Sequence, residues 1–235
     1  MTTRMSVGFV ALMLLTEAPA AGASSLLRKL LRIAGLTAAP TTLRAPSSEA
    51  SGEIWSVDVA GGESQRLTAT AGFRSPVFAP QGTIYALEND SLIRLATGRE
   101  VVVAAAPGVL KLVGFDTQNS GEVVMLLTAE SNASPLAVLS LRTGRRSTLP
   151  IDAGSDDERL MLAQIRDNTR TYGDIRLSTR TESRDGVTRK IEWTDVYFQR
   201  GSTSAVNVSN CAGRRCSQPA LSPDGHRVVF VKALP

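Results

Sequence analysis

The 235-residue chain contains one histidine, His226, which lies four residues after Ser222. A serine and a histidine can form a hydroxyl nucleophile with its base when a carboxylate orients the imidazole. Here the serine opens Ser222-Pro223-Asp224-Gly225, in which Pro fixes φ, Asp can bond its own backbone and Gly accepts a positive φ. We therefore predict that this segment forms a β-turn and not a nucleophile.

Paired carboxylates would offer a second kind of chemistry, since glycosidases act between two of them. Asp156 and Asp157 belong to an acidic run between predicted hairpins, while Asp90, Asp116 and Asp185 lie near other turns. Such a run is typical of a solvated loop, and nothing in the spacing brings two carboxylates together. The sequence predicts a protein that is not an enzyme and that needs no cofactor.

The two cysteines, Cys211 and Cys216, are separated by four residues. Zinc knuckles and redox motifs usually separate their cysteines by two residues, and the chain has a single histidine, so we predict no metal site. Paired with each other, the cysteines would staple one surface loop, as an oxidising compartment permits. The alternative is two reduced thiols side by side.

From Glu53 onward, short runs rich in β-branched residues alternate with turn signals, which predicts an all-β domain over residues 53–235. Gly82 and Gly121, in two of the predicted turns, lie 39 residues apart, close to the spacing of propeller blades. Outer hairpins are predicted over 53–68, 91–103, 136–149 and 191–208, and inner hairpins over 75–87, 110–127, 160–177 and 218–231.

The order of these hairpins predicts how the domain closes. The chain begins with an outer hairpin that lacks an inner partner and ends with an inner hairpin that lacks an outer one. Pairing 218–231 with 53–68 would complete a blade and close a small β-propeller of about four blades, which removes exposed strand edges. The alternative is an open array that another copy or protein completes.

The turn motif is followed by His226-Arg227-Val228-Val229-Phe230, and the strand Glu53–Val59 is followed by Gly61-Gly62 and Leu67-Thr68. In these features the chain resembles the TolB-type, WD-like propeller repeats of bacterial envelope proteins. The resemblance implies a β-propeller in the envelope, but it says little about activity, because one blade type serves many roles. Gln81 replaces the turn Asp in the upstream copy, Ala79-Pro80-Gln81-Gly82.

The expected function is non-catalytic recognition of a protein or an envelope ligand. Loops that join successive blades, and inner to outer hairpins, share one rim of a propeller and can vary on a rigid scaffold. The alternative is a substrate-recognition subunit of a peptidase or hydrolase supplied by another chain. The candidate rim residues are Arg74, Asp90, Asp156, Asp157, Arg184, Asp185, Arg214 and Arg215. We interpret the arginine-rich stretch 176–190 as a long solvated hairpin connection, with a site for an acidic partner as the alternative.

The N-terminal residues predict export. Arg4, an apolar stretch from Val7 to Leu15 and small residues before Ser24 are typical of a signal peptide, assigned to 1–23. Residues 24–52 are assigned to an amphipathic helix and a linker; the helix, at 26–34, could contact a membrane or pack on the propeller. A periplasmic or secreted location follows. The net charge of +4 is spread along the chain, which does not favour nucleic-acid binding.

Overall fold

The computed structural model describes residues 51–96, 99–115, 122–128, 136–149, 170–187, 190–211 and 213–234. In these residues, sixteen β-strands form four antiparallel sheets of four strands each. Each sheet is a pair of hairpins, as the alternation of strands and turns predicts. The predicted signal peptide and the helix at 26–34 lie outside the described residues.

The strands are numbered in chain order. They are β1 (Glu53–Asp58), β2 (Gln65–Arg66), β3 (Phe73–Phe78), β4 (Ile84–Glu88), β5 (Ser91–Ala96), β6 (Arg99–Ala105), β7 (Val109–Phe115), β8 (Val123–Thr128), β9 (Leu136–Ser140), β10 (Arg146–Thr148), β11 (Arg170–Tyr172), β12 (Ile175–Asp185), β13 (Lys190–Arg200), β14 (Val206–Asn207), β15 (Cys216–Leu221) and β16 (Arg227–Lys232). Sheet I contains β3 to β6, sheet II β7 to β10, sheet III β11 to β14, and sheet IV has the order β15-β16-β1-β2.

Sheet IV combines strands from both ends of the described chain. β1 lies between β16 and β2, and its register with β16 runs from the pair Glu53–Lys232 to the pair Asp58–Arg227. The prediction that the C-terminal hairpin completes the first hairpin is therefore confirmed. Since both edges of β1 are paired, the first predicted hairpin is held inside a complete four-stranded sheet.

The sheets pack on one another through apolar faces. One cluster joins sheets I and II and includes Leu92, Leu112 and Leu126, while a second joins sheets I and IV and includes Phe73. A third joins sheets III and IV around Phe230. Stacked four-stranded sheets whose first strands lie next to one another are consistent with a propeller-like fold.

The two copies of the turn motif have the same local structure. Gly225 donates its N–H to Ser222 O at 2.9 Å with a φ of +74°, and Gly82 donates to Ala79 O at 2.9 Å with a φ of +84°. The two sequences Ser222–Gly225 and Ala79–Gly82 are thus equivalent turns between the first and second strands of their sheets. The repeat inferred from the sequence is confirmed at these two hairpins.

The first strands of sheets I and IV share a second feature, which the turn motif alone does not reveal. Ser75 and Gln218 have positive φ values of 55° and 54°, each precedes a proline, and each lies at a shift of strand register. Proline has no N–H for a sheet ladder, so it is tolerated in a strand at such a bulge. The bulges turn Ser75 and Gln218 toward the neighbouring sheets.

The interpretation of 176–190 as a hairpin connection is wrong for most of that stretch. β12 continues through Asp185 and pairs with β13 along all eleven of its residues, from Ile175–Arg200 to Asp185–Lys190. The side chains are mostly exposed, as expected, but the backbone is a long two-stranded ribbon. The far half of the ribbon is polar because it extends past β11 and β14, the strands that flank its base.

Candidate binding cavity

A cavity of about 480 Å³ lies where the first strands of the four sheets end. β3, β7, β11 and β15 reach it with Phe78, Phe115, Tyr172 and Leu221, which are their last residues. Its volume is in the range of small-ligand sites, roughly 300–1,000 Å³. The lining residues are Val77, Phe78, Pro80, Val113, Gly114, Phe115, Tyr172, Ile175, Arg200, Ala220, Leu221, Ser222, Pro223, Asp224 and Gly225.

Hydrogen bonds join the first strands of neighbouring sheets. The Ser75 N–H of sheet I donates to the side-chain oxygen of Gln218 in sheet IV. The Leu112 N–H of sheet II donates to Ser75 Oγ at 3.1 Å. Arg170 of sheet III donates to the carbonyls of Leu112 and Val113 at 3.3 and 3.1 Å. Each contact joins one sheet to the next.

The fourth junction involves the cavity wall itself. The Leu221 N–H of sheet IV lies 3.4 Å from the Tyr172 hydroxyl oxygen of sheet III. Bonds between first strands therefore link sheets IV to I, I to II, II to III and III to IV. Because Ser75, Gln218 and Arg170 are buried, their polar atoms need hydrogen-bond partners within the protein, and these contacts supply them.

The polar side chains of the lining are Tyr172 and Arg200, together with Ser222 and Asp224 of the turn. Burial raises the pKa of the Tyr172 hydroxyl above its usual 10.0, although the charge of Arg170 and the Leu221 hydrogen bond act in the opposite direction. The hydroxyl is therefore protonated at neutral pH. Arg200 is exposed at the mouth, with its guanidinium carbon 5.8 Å from the centre of the Phe198 ring. Among the described residues, no carboxylate lies within ion-pair distance of Arg200.

The side chain of Ser222 forms its hydrogen bonds within the turn motif and the strand that follows it. Ser222 Oγ donates to Asp224 Oδ1 at 2.5 Å and accepts the Arg227 N–H at 2.8 Å. The pKa of Asp224 is lowered, first by the Ser222 hydroxyl and then by the His226 N–H. In the described residues the imidazole of His226 forms no hydrogen bond with Ser222. The prediction that Ser222 is a turn residue is confirmed.

Arg74 and Asp90, two of the predicted rim residues, lie at the end of sheet I opposite to the cavity. The guanidinium of Arg74 donates to Asn89 O at 3.0 Å and to Val109 O at 2.8 Å, so it joins the β4–β5 turn to sheet II. Asp90 is exposed in that turn, and its carbonyl accepts the Ala106 N–H. Asp156 and Asp157 lie outside the described residues.

The remaining rim candidates lie on and beside the β12–β13 ribbon. Arg184 and Asp185 are exposed near its far end, where they pair with Ile191 and Lys190. Arg214 and Arg215 are in the loop between the cysteines, and Arg214 O accepts the Thr194 N–H at 3.4 Å. None of the described rim candidates lines the cavity.

Cys211 and Cys216 form the predicted disulfide, with their Cα atoms 6.2 Å apart. Contrary to the expectation of a surface staple, both side chains are fully buried and pack in the core between sheets III and IV. The bond is compatible with an oxidising compartment. The described residues contain no group of three or more His, Cys, Asp or Glu side chains that could hold a metal ion.

The described part of the chain has no helix with the length and apolar character needed to cross a membrane. Comparisons with known sequences assign no relative, since neither a protein-family model nor a curated protein matches the chain.

Proposed function

We propose that this chain is a closed four-bladed propeller of the TolB type that recognises a protein partner without catalysing a reaction. The observation that carries the proposal is the cavity at which all four first strands end. The hydrogen bonds from sheet IV to I, I to II, II to III and III to IV support closure of the ring. The two equivalent turns support the blade type.

The wall of the cavity suits an apolar side chain that carries or lies beside a negative charge. Phe78, Phe115 and Leu221 offer apolar surface, and burial of such surface supplies about 25 cal/mol per Å². Arg200 adds a cation without a carboxylate partner in the described residues. We propose that an apolar residue of the partner enters the cavity while an acidic group beside it contacts Arg200.

We also propose that the protein acts outside the cytoplasm, in the periplasm or after secretion. The buried Cys211–Cys216 bond supports this location, because disulfides persist in oxidising compartments and are rare in the cytosol. The apolar N-terminal stretch with small residues before Ser24 supports it independently.

Site-specific photo-crosslinking distinguishes the two ends of the sheets. A photoreactive amino acid at Gln81, in the turn beside the cavity, is expected to capture the partner in envelope extracts. The same group at Asp90, in the opposite turn, is the matched control, since both side chains are exposed. Capture from Asp90 but not from Gln81 would move the binding surface to the predicted rim and contradict the cavity proposal.

The charge at the cavity mouth provides the quantitative test. The variant R200E is expected to weaken binding of the captured partner at least tenfold, or about 1.4 kcal/mol, because it places a carboxylate opposite the partner's acidic group. R176E reverses an exposed charge in the same sheet without lining the cavity, so it should bind as the wild type does. Titration of both variants measures the difference, and equal affinities would contradict the role of Arg200.

A further inference from the structure

The outermost strand of sheet I differs from those of the other sheets. β6 has seven residues, whereas β2 and β14 have two each and β10 has three. Very short edge strands are one way in which proteins avoid pairing with other chains, because they offer few free backbone groups. Among the described strands β6 pairs only with β5, with a shift of register at Val103, so no described strand occupies its outer edge.

The side chains of β6 strengthen the contrast. Its sequence is Arg-Glu-Val-Val-Val-Ala-Ala, in which Val102 is 67% exposed and Val101 is 37% exposed. Val103 and Ala104 instead pack against the core. Exposed valines on a seven-residue outermost strand favour pairing with a further strand, since β-branched side chains fit a pleated surface and lose contact with water there.

We propose that β6 pairs with β6 of a second copy of this chain, in antiparallel orientation across a two-fold axis. A two-fold axis brings one residue opposite itself. If that residue is Val102, then Val101 lies opposite Val103 of the other copy. The two charged residues, Arg99 and Glu100, then lie opposite Ala105 and Ala104, so that no like charges meet.

The composition of β6 favours this occupant over an unrelated strand. Its two charged residues, Arg99 and Glu100, are adjacent at one end of the strand. The antiparallel arrangement places the charged residues of one copy at one end of the interface and those of the other copy at the opposite end. The apolar centre meets an identical apolar centre. The contact lies at the outer edge of sheet I, whereas the cavity lies at the first strands, so dimerisation leaves the cavity open.

Sedimentation equilibrium of the full chain tests the proposal. The wild type is expected to rise from monomer toward dimer as its concentration increases. V102K is expected to raise the dimer dissociation constant at least about tenfold, because the two-fold axis places the two lysines opposite each other. V206K is the matched control: Val206 is 57% exposed on the outermost strand of sheet III, which has only two residues.

Crosslinking provides a second measurement that does not depend on the lysine substitution. V102C is expected to form a covalent dimer on mild oxidation while Cys211 and Cys216 stay paired, and V206C is expected to remain monomeric. A wild type that is monomeric at every concentration, or a V102K variant that associates as strongly as the wild type, would overturn the proposal. Capture of another protein on β6 by a monomeric wild type would also overturn it.

Discussion

Replacing Arg170 by methionine is expected to lower the free energy of unfolding by about 2–5 kcal/mol, since each buried acceptor left without its donor costs about 1–3 kcal/mol. The side chain is only 5% exposed and donates to the carbonyls of Leu112 and Val113. A methionine could fill much of the space but could not donate. Because those bonds join sheets II and III, their loss affects the packing of two sheets. Urea unfolding measures the change as a lower midpoint.

The control for this experiment is R176M. Arg176 also lies in sheet III, but it is exposed, and substitutions at such positions usually change stability by less than about 0.5 kcal/mol. A similar midpoint for R170M and R176M would show that the contacts of Arg170 do not stabilise the junction between sheets II and III.

Replacing Asp195 by alanine is expected to lower the free energy of unfolding by about 2–4 kcal/mol, because buried donors lose a charged acceptor. Oδ1 accepts the Cys211 N–H at 2.6 Å and the Ser209 hydroxyl at 3.0 Å, while Oδ2 accepts the indole N–H of Trp193 at 2.9 Å. The carboxylate therefore ties the ribbon to the disulfide loop. Thermal unfolding followed by tryptophan fluorescence reports the loss.

D185A is the matched variant, since it removes an exposed carboxylate from the same ribbon. It is expected to unfold at nearly the wild-type temperature. If D195A and D185A unfold at the same temperature, or if D195A retains the wild-type stability, the buried hydrogen bonds of Asp195 do not stabilise the base of the ribbon.

The hairpins could be predicted from the sequence because each one depends on residues that are close together in the chain. A turn such as Ser222–Gly225 requires particular residues at successive positions, and the alternation of Glu53–Asp58 is that of a strand. The pairing of β1 with β16 could be predicted as well, since joining the unpaired hairpins at the two ends of the repeat covers their free edges within one chain.

The bonds between sheets could not be predicted, because their partners are far apart in the sequence. Ser75 and Gln218 belong to strands of different sheets. Serine and glutamine are common surface residues, so neither residue type indicates a contact between sheets. Each is followed directly by a proline, and a turn glycine comes six residues after that proline. The glycine is Gly82 in the first case and Gly225 in the second. A proline inside a predicted strand indicates a bulge, and this shared spacing was the available signal.

The cavity residues were missed for a related reason. Phe78, Phe115 and Tyr172 have the pattern of ordinary core residues, and only the meeting of four strand ends leaves a space between them. Arg200 precedes a turn glycine, where an exposed charge is common. The long ribbon was missed because its far half covers no core, so Thr179, Thr181 and Ser183 show no apolar alternation.

The central structural claim is that the two ends of the all-β domain pair with each other through β1 and β16. The double variant D58C/R227C tests it directly, because Asp58 and Arg227 are directly opposite and both are exposed. Cα atoms of such pairs lie about 4.5–5.5 Å apart, a separation that a disulfide can span.

Peptide mapping of the oxidised, monomeric protein is predicted to show a link between positions 58 and 227 beside the native Cys211–Cys216 bond. The control D58C/K232C places the second thiol at the other end of β16, where Lys232 pairs with Glu53, and it should keep both new thiols free. Free thiols at positions 58 and 227 after oxidation, or links only between molecules, would contradict the pairing of β1 with β16 and the proposed closure of the ring that depends on it.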